Sequence, residues 1–250
     1  MYYYVYDEFI SDKKHERELI AIENRLADLG IGGRVARLAL FRHAESLVVD
    51  ELRRGQITTV VVVGNDQTVH KVLDAIADYD VAFGIIPVGP DNTFARMLGI
   101  PSGASAVDVL SARNLETIDT GRLNGQRFVT GVCFPKQVGK ITCDNRFTIE
   151  TLRAGTIEIR NLACGVVETG EVGNPKDGLL EAVVFVEPKH GLFRKAVGAK
   201  KSIVGSREFE VEFSEVVTAT ADGKEVKNTH FSITIEPLAL KVITGKGRMF

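Results

Sequence analysis

Residues 57–68, Ile-Thr-Thr-Val-Val-Val-Val-Gly-Asn-Asp-Gln-Thr, decide the fold because they join a buried strand to a helix. The β-branched run at 57–63 is typical of a strand that is covered on both faces of a parallel sheet. Apolar residues at helical spacing over 68–77 predict the helix. The turn between them consists of Gly64, Asn65, Asp66, Gln67 and Thr68. Such a turn directs backbone N–H groups and the positive end of a helix dipole towards one point, which suits an anion, although a plain strand-to-helix turn has the same composition.

The first hundred residues repeat this alternation of strand and helix patterns. Strands are predicted at 2–6, 34–40, 57–63 and 81–86, with helices at 11–29, 44–54 and 68–77 and a short helix that ends at Leu98. After Pro101 a last helix at 104–112 closes this half. Ser11 is the predicted N-cap of the first helix. Strands that alternate with helices form a parallel sheet, and ligands bind at the carboxyl ends of its strands. A second loop, Pro-Val-Gly-Pro-Asp-Asn at 87–92, also follows a predicted strand, so both loops can face one crevice.

After about residue 115 the pattern changes to short strands separated by turn residues. Asn124-Gly125 and Asp222-Gly223 are typical of two-residue hairpin turns. Further strands are predicted at 155–162, 180–187, 208–213, 215–221 and 230–235. The predicted fold class is therefore α/β, with a Rossmann-like parallel domain at 1–115 followed by an antiparallel β-rich sandwich domain at 116–250. A basic, mobile tail is predicted after the last strand.

Composition restricts the class of protein. The chain has 31 basic and 33 acidic side chains, so no overall charge draws it to nucleic acid, and any membrane contact would have to be local. Cys133, Cys143 and Cys164 are odd in number and scattered, which favours reduced thiols over a disulfide framework. No apolar stretch reaches the roughly 18 residues of a transmembrane helix, and the N-terminus lacks the pattern of a secretory signal. These features predict a cytoplasmic protein.

The order and spacing of the two loops resemble the catalytic domain of the diacylglycerol kinase family, which includes bacterial lipid kinases and sphingosine kinases. That family has Gly-Gly-Asp-Gly-Thr in place of 64–68 and Pro-Leu-Gly-Thr-Gly-Asn-Asp-Phe-Ala-Arg in place of 87–96. The matching residues are Gly64, Asp66, Thr68, Pro87, Gly89, Asn92, Phe94, Ala95 and Arg96. Asp177-Gly178-Leu179-Leu180 and Asp222-Gly223 resemble two later family segments. The resemblance covers nearly the whole chain, and the segment at 238–241 falls where the family's chain returns towards its first domain.

The resemblance implies an ATP-dependent lipid kinase that transfers the γ-phosphate of ATP to a lipid hydroxyl with Mg²⁺, in an active site between its two domains. The turn at 64–68, Gly89 and Asn92 are then nucleotide-binding residues, Asp177 is a metal-binding candidate and Asp222 is a candidate general base. Asn92 has a second interpretation as the N-cap of the helix that follows it. The implied partners are a nucleotide and a lipid at the inner face of the membrane, to which the protein would bind peripherally. A homodimer through a sheet edge is compatible with the sequence.

Several residues differ from the family pattern at positions that bear on activity. Gln67 and Asn65 replace glycines, and the long Gln67 side chain would occupy part of the nucleotide site. Pro90 and Asp91 replace Thr-Gly, which removes an N–H donor and adds a carboxylate where phosphates are expected. Lys224 stands in place of a glutamate that is a candidate base, and a lysine with the ordinary pKa of about 10.4 cannot accept a proton at neutral pH.

Two family segments are also missing or shortened. The first strand lacks an Asn-Pro-x-x-Gly phosphate loop and has residues 4–11 in that place, and the segment at 131–177 is shorter than in the family. Asp222 or Glu225 could act as the base, or Asp222-Gly223 could be only a hairpin turn. A catalytically inactive relative that binds a nucleotide, a lipid or a protein is therefore the alternative hypothesis. NAD kinase is a third, because it shares the first loop, but its Pro-Thr-Gly-Ser-Thr-Ala-Tyr segment is absent.

Overall fold

A computed structural model of the chain describes residues 1–38, 44–163, 172–186 and 200–250. The elements of the first half are β1 (Tyr2–Tyr6), α1 (Glu16–Asp28), β2 (Gly33–Arg37), α2 (Ala44–Arg53), β3 (Thr59–Gly64), α3 (Asp66–Ala77), β4 (Ala82–Pro87), α4 (Thr93–Met97) and α5 (Ser105–Ala112). The second half contains β5 (Leu115–Leu123), β6 (Gln126–Phe128), β7 (Gly131–Gln137), β8 (Lys140–Cys143), β9 (Phe147–Glu150), β10 (Gly155–Arg160), β11 (Leu180–Val186), β12 (Lys200–Ser206), β13 (Glu208–Ala221) and β14 (Lys224–Ile243). Parallel strands alternate with helices before a large antiparallel region, so the predicted fold class is confirmed.

The chain divides into two units, the first formed by Met1–Ile118 and Ala239–Phe250 and the second by Asp119–Leu238. In the first unit the strand order is β2-β1-β3-β4, and all of these pairs are parallel. Lys241 and Val242, near the end of β14, pair in parallel with the other edge of β4. The predicted division into domains at 1–115 and 116–250 stays a prediction.

Strand β3 lies inside this sheet. All six of its residues are buried, and so are all six of β4. Strands covered on both faces need apolar side chains in every position, which is why the sequence shows a continuous β-branched run instead of an alternation. Helix α3 buries Val69, Val72 and Ile76, whose spacing places them on one face. The predicted strand and helix are therefore present, and the helix begins at Asp66 instead of Thr68.

The first helix begins later than the sequence predicts. Two short 3-10 helices, Glu8–Ser11 and Lys13–His15, precede α1, and Asp7 caps the first of them. Ser11 is the last residue of a 3-10 helix, so its prediction as the N-cap of α1 is wrong. The apolar periodicity identifies α1, but it does not show that the polar stretch before it forms separate tight turns.

The basic C-terminal segment is held by backbone hydrogen bonds, so the prediction of a mobile tail is wrong. The backbone N–H of Gly245 donates to the carbonyl of Leu98 at 2.8 Å. Further along, the N–H of Met249 donates to the carbonyl of Met97 at 2.9 Å. Both acceptors lie at the end of α4, so the chain after β14 packs along this short helix.

The second unit is an antiparallel β structure around one apolar core. The strand order is β12-β11-β10-β7-β13-β14, and the β8–β9 hairpin pairs with β13. Phe134, Phe213 and Phe231 belong to the core cluster, and their ring centroids lie 5.0–6.0 Å apart. Tilted and edge-to-face pairs of this kind are a favourable way to pack aromatic rings.

Both hairpin signals form turns with left-handed backbone. Asn124 and Gly125 have φ angles of 48° and 86°, and they join β5 to β6. Asp222 and Gly223 have φ angles of 47° and 79°, and they join β13 to β14. Positive φ at both central residues is the requirement of the type I′ turn, so the hairpin interpretation of Asp222-Gly223 is confirmed as geometry.

The strands before and after the second hairpin are longer than predicted. The segments 208–213 and 215–221 form the single strand β13, and the segment 230–235 is part of β14. The pairing of β13 with β14 is irregular between Glu212 and Val217, where the register shifts. Ser214 and Glu215 in this irregular stretch look like a strand end in the sequence, because the alternation of buried and exposed side chains is interrupted there.

Cys133 and Cys143 are free, buried thiols, and burial raises the pKa of Cys133 to about 12. Cys164 lies outside the described residues, as do the last residues of the strands predicted at 34–40 and 180–187. Within the ranges that the structure describes, no helix combines the length and the apolar character needed to cross a membrane.

Candidate functional site

The carboxyl ends of β1 and β3 lie side by side. Asp7 directly follows β1, and its backbone N–H donates to the carbonyl of Val63 at 3.1 Å. In a sheet with the order β2-β1-β3-β4, the connections run in opposite directions on the two sides of this point. Open α/β sheets bind their ligands at such a switch point. The turn at 64–68 therefore begins where a ligand is expected.

Asn65 and Thr68 start helix α3. The Asn65 Oδ1 accepts from the Thr68 backbone N–H at 3.4 Å, and the Thr68 Oγ1 accepts from the Asn65 backbone N–H at 3.2 Å. This reciprocal pair is a capping box. Thr68 is fully buried and Asn65 nearly so. Both predicted nucleotide-binding side chains therefore act within the turn itself, and their contact with a nucleotide stays a prediction.

The Asp7 carboxylate ties this turn to β1. Its Oδ2 accepts from the Thr68 hydroxyl at 2.8 Å and from the Lys71 ammonium at 2.9 Å. Burial raises the pKa of the Asp7 carboxyl, but the hydrogen bonds from Lys71 and Thr68 outweigh that effect, so the pKa lies below its ordinary value. A carboxylate paired with a lysine thus stands where the family resemblance implies a phosphate loop after the first strand.

Replacing Asp7 with asparagine is expected to lower the free energy of unfolding by about 1–3 kcal/mol at neutral pH, because hydrogen bonds to a charged group are lost. The lowered pKa means that this stabilisation is present above the unfolded pKa of about 3.9 and is lost as the pH falls through the folded value. Urea unfolding of both proteins from neutral pH to about pH 3 measures the difference. A difference that does not shrink on acidification would contradict the assignment.

Gly64 and Gln67 have different surroundings in the turn. A Cβ atom at Gly64 would overlap the Thr68 Oγ1, so the capping box requires glycine at this position. The Gln67 residue is exposed at the first turn of α3. Its side chain therefore does not fill the turn from inside, and the prediction that it blocks a nucleotide stays open to measurement.

Asp66 connects the turn after β3 to the loop after β4. Its Oδ2 accepts from the Thr93 backbone N–H at 2.7 Å and its Oδ1 accepts from the Phe94 backbone N–H at 3.1 Å. The Asp66 backbone N–H donates to the carbonyl of Asp91 at 2.9 Å. Asn92 occupies the N-cap position of α4, but its side chain makes no capping hydrogen bond. The Asp66 carboxylate therefore caps α4 from another loop.

The loop after β4 contains two residues with left-handed backbone, Gly89 at φ 74° and Asp91 at φ 61°. Asp91 thus adopts a conformation that favours glycine, the residue that the family has at this position. The Asn92 Nδ2 donates to the Gly89 carbonyl at 2.7 Å. The Asn92 Oδ1 is buried and has no hydrogen-bond partner among the described residues. An unpaired acceptor in a loop of this kind is available to a ligand.

Asp177, the predicted metal ligand, lies in the second unit and is exposed. Its Oδ1 accepts from the Leu179 backbone N–H at 3.0 Å, which closes a local turn. Within the described part of the chain, no group of three or more His, Cys, Asp or Glu side chains is arranged to hold a metal ion. Asp177 and its described surroundings therefore do not by themselves fit a resident Mg²⁺ site.

Asp119, which the sequence did not single out, holds the segment around Asp177. It is fully buried, and its carboxylate accepts from the backbone N–H groups of Gly178 at 2.9 Å and Leu238 at 2.7 Å. No distinct signal in the sequence marks it, because β5 also contains a glutamate and an arginine. Asp7 was missed in the same way, although a polar residue directly after a buried strand marks the end of the sheet where ligands bind.

Asp222, the candidate base, is buried in the second unit with only 9% of its surface exposed. Its carboxylate accepts from the backbone N–H groups of Val129 at 2.6 Å and Thr130 at 2.9 Å, and also from the Thr130 hydroxyl. The neighbouring Lys224 and Glu225 are exposed. Asp222 therefore fastens the hairpin turn to the end of β6, and its role as a base stays a prediction.

Among the predicted site residues, direct hydrogen bonds link the 64–68 turn to the loop that contains Gly89 and Asn92. All of these residues belong to the first unit, whereas Asp177 and Asp222 belong to the second. Taken together, these observations define an α/β protein of two units, with two linked loops at the carboxyl ends of parallel strands in the first unit.

Residues 3–123 match the family model of the diacylglycerol kinase catalytic domain. A diacylglycerol kinase of Bacillus subtilis (strain 168) is 38% identical over 74 residues, a match that covers 28% of this chain and 24% of that protein. A probable lipid kinase, YegS, of Shigella flexneri is 24% identical over 241 residues, which covers 77% of this chain and 80% of that protein.

The fold is similar to solved structures along its whole length. A crystal structure of a diacylglycerol kinase from Bacillus anthracis str. Sterne superposes with a TM-score of 0.82 at 18% identity, covering 99% of this chain and 98% of that one. A putative diacylglycerol kinase from the same strain gives a TM-score of 0.78 at 16% identity. These matches are consistent with a divergent member of the diacylglycerol kinase catalytic domain family, and the resemblance predicted from the two loops is confirmed.

Proposed function

We propose that the protein is an ATP-dependent lipid kinase that transfers the γ-phosphate of ATP to a lipid hydroxyl. The observation that carries this proposal is the hydrogen-bonded link between the turn after β3 and the loop after β4, through Asp66 and Asp91. Both loops follow carboxyl ends of parallel strands, where nucleotides bind in such sheets. Phosphoryl transfer depends mainly on positioning and charge stabilisation, so two loops that fix each other suit this chemistry.

The backbone of the first loop supports binding of a phosphate. Helix α3 begins at Asp66, and the N–H groups of a first turn have no acceptors within their own helix. The N–H groups of Asp66 and Thr68 are used by Asp91 and Asn65, and no hydrogen bond of the Gln67 N–H to a described residue outside the helix is found. We assign the Gln67 backbone N–H as the donor of this turn to a nucleotide phosphate, together with the dipole of the helix.

The loop after β4 would contribute Gly89 and Asn92. Gly89 allows the left-handed turn of this loop and the close approach of the Phe9 ring, and the unpaired Asn92 Oδ1 can accept from a nucleotide hydroxyl or amine. Asp91 is exposed and adds a negative charge beside them. Repulsion between this carboxylate and a phosphate requires a cation, so the nucleotide would bind as its magnesium complex, with Mg²⁺ brought by ATP.

A catalytically inactive relative is the second candidate, because several observations favour it. The Asp222 carboxylate is occupied by three hydrogen bonds from Val129 and Thr130, so it already has a structural role in the second unit. Lys224 stands beside it in place of a glutamate. In this alternative the two loops still bind a nucleotide, but no transfer follows. NAD kinase ranks last, since only the first loop is shared.

Titration of MgATP into the purified protein by calorimetry is expected to show binding that Asp66→Ala weakens at least about tenfold. The alanine removes the cap of α4 and with it the link between the loops, and hydrogen bonds to a charged group contribute about 1.5–3 kcal/mol, which corresponds to tenfold or more in affinity. Asp66→Asn keeps the shape of the side chain and one acceptor oxygen, so its affinity for MgATP should lie between those of the wild type and Asp66→Ala.

Asp50→Ala is the matched control, because Asp50 is an exposed carboxylate on α2 away from both loops. Absence of heat with MgATP at any concentration would remove the nucleotide proposal. Binding that Asp50→Ala weakens as much as Asp66→Ala does would remove the assigned loops. Transfer of labelled γ-phosphate to dioctanoylglycerol in detergent micelles then separates the kinase from the inactive relative, and NAD as acceptor tests the third hypothesis.

The remaining parts of the proposal concern partners and location. The acceptor is proposed to be a lipid at a membrane surface, which the protein would approach from the cytoplasm without spanning the bilayer. A homodimer through the exposed edge strand β2 is a further prediction. Sedimentation of the protein alone measures its oligomeric state. Sedimentation with lipid vesicles measures its membrane association.

A further inference from the structure

A cavity of about 1040 Å³ lies within the first unit, outside the turn at 64–68. Its walls come from the loop after β4, helix α4, the connection from α4 to α5, helix α5 and the C-terminal residues 245–247. None of the five residues of the 64–68 turn lines it. The volume is that of a typical small-molecule site.

Two cations line this cavity without an ion pair. Arg96 on α4 and Lys246 in the C-terminal segment make no salt bridge with any carboxylate that the structure describes. Asp108 also lines the cavity, but its carboxylate accepts from the Arg25 Nε at 3.0 Å. The unpaired charges on the wall are thus two positive groups and the single carboxylate of Asp91.

The wall that contains Lys246 is fixed in place. Gly245 donates its N–H to Leu98, and a Cβ at Gly245 would overlap the carbonyl oxygen of Gly99, so the two backbones are in direct contact. Arg248 forms an ion pair at 2.9 Å with Glu116. Tight backbone contact on one side of Lys246 and an ion pair on the other fix the backbone at Lys246 before any ligand arrives, which lowers the entropy cost of ordering this segment on binding.

Hydrogen-bonding groups accompany the charges. The Asn92 Oδ1 is buried, lines this cavity through its residue and has no partner among the described residues. The backbone N–H groups of Lys246 and Gly247 likewise donate to no backbone carbonyl in the described ranges. Val109 and Ala112 on α5 supply an apolar wall. The cavity therefore offers two cations, backbone donors, one acceptor and an apolar surface.

We propose that this cavity binds a phosphate monoester, with the dianionic phosphate between Arg96 and Lys246 and a neighbouring hydroxyl donating to the Asn92 Oδ1. Two cations match the double charge of a phosphate monoester better than the single charge of a carboxylate ligand. The planar guanidinium of Arg96 can also donate two hydrogen bonds to phosphate oxygens. The ligand is either a phosphorylated lipid, whose chains would lie against Val109 and Ala112, or a small soluble phosphate. This assignment shares Asp91 and Asn92 with the proposed nucleotide site, but it does not use the turn after β3.

Calorimetric titration of the full chain with dioctanoyl phosphatidate, glycerol 3-phosphate and inorganic phosphate tests the proposal. The wild type is expected to bind at least one phosphate monoester, and the double substitution Arg96→Gln with Lys246→Gln should weaken that binding at least about tenfold. Asp91→Asn should strengthen it severalfold, because it removes a like charge and asparagine tolerates a positive φ. Tighter binding of dioctanoyl phosphatidate identifies a lipid headgroup, whereas equal affinities identify a small phosphate.

The matched control is the double substitution Lys13→Gln with Arg17→Gln, which makes the same change in charge at exposed positions of the first unit that do not line the cavity. It should leave phosphate binding unchanged. The proposal is overturned if no phosphate monoester binds, if the cavity variant binds as the wild type does, or if the control loses as much affinity. Titration with MgATP on the same variants keeps this result separate from nucleotide binding.

Discussion

Replacing Gly245 with alanine is expected to lower the free energy of unfolding by about 3 kcal/mol or more, which corresponds to a drop in melting temperature of roughly 6–12 °C. The new Cβ would overlap the carbonyl oxygen of Gly99, and a backbone atom cannot rotate away as the end of a side chain can. The C-terminal segment would have to separate from the end of α4, so the hydrogen bond from Gly245 to Leu98 would be lost as well.

The control for this prediction lies two residues further along. A Cβ at Gly247 would meet no atom within 4 Å, and the backbone of Gly247 is outside the left-handed region. Gly247→Ala should therefore leave the melting temperature within about 2 °C of the wild type. Thermal unfolding of both variants followed by circular dichroism measures the pair. Equal melting temperatures would mean that the C-terminal segment is not packed against Gly99.

Replacing Asp222 with alanine is expected to cost about 3 kcal/mol or more. The N–H groups of Val129 and Thr130 and the Thr130 hydroxyl would lose their acceptor, and a buried donor left unsatisfied costs about 1–3 kcal/mol. Alanine at the φ angle of 47° also lacks the short polar side chain whose local hydrogen bonds make this left-handed conformation tolerable for aspartate. Urea unfolding of the full chain, followed by far-ultraviolet circular dichroism, measures the loss.

Asp144→Ala is a matched comparison in the same unit. Asp144 has a φ angle of 46° and accepts from the backbone N–H groups of Arg207 at 3.1 Å and Glu208 at 3.0 Å, so it shares the left-handed conformation and the kind of hydrogen bond. It is less buried than Asp222, so water can replace the lost acceptor. Asp144→Ala should therefore be clearly less destabilised, and an equal loss in both variants would show that burial of Asp222 contributes nothing.

The same substitution site separates the two roles of Asp222. Asparagine keeps one acceptor oxygen and nearly the same volume, so Asp222→Asn should recover part of the stability that alanine loses. If Asp222 is the general base of a phosphoryl transfer, the asparagine variant folds but turns over at least about a hundredfold more slowly, since general acid–base catalysis contributes that much or more. If Asp222 only fastens the hairpin, the turnover of the asparagine variant should fall only as far as its folded fraction falls.

Local sequence patterns were sufficient to predict most of the strands, helices and turns. The run of valines in β3 and the apolar spacing in α3 reflect burial on both faces and on one face, and both can be recognised without any distant residue. The turns at Asn124-Gly125 and Asp222-Gly223 follow from the ease with which these residues adopt a positive φ. The resemblance of the two loops was sufficient for the family.

Predictions failed where a polar segment had no local signature. The stretch from Asp7 to His15 contains no apolar period, so the sequence did not distinguish two 3-10 helices from the start of α1. The C-terminal segment looked mobile because it is basic and rich in glycine. Its glycines instead permit close backbone contact with Gly99, and the need for contact is visible only when both segments are in place.

The sequence by itself determined the fold class, the order of strands and helices, and the two loops that identify the family, because these depend on periodicity, turn chemistry and spacing along the chain. Tertiary structure alone decided how the loops are held. Asp66 caps α4 from another loop and Asp119 accepts from Leu238, and such bonds join residues far apart in the sequence, where spacing carries no information about distance. The cavity that contains Arg96 and Lys246 also depends on tertiary structure. These two cations are 150 residues apart in the sequence, and the fold brings them to one cavity.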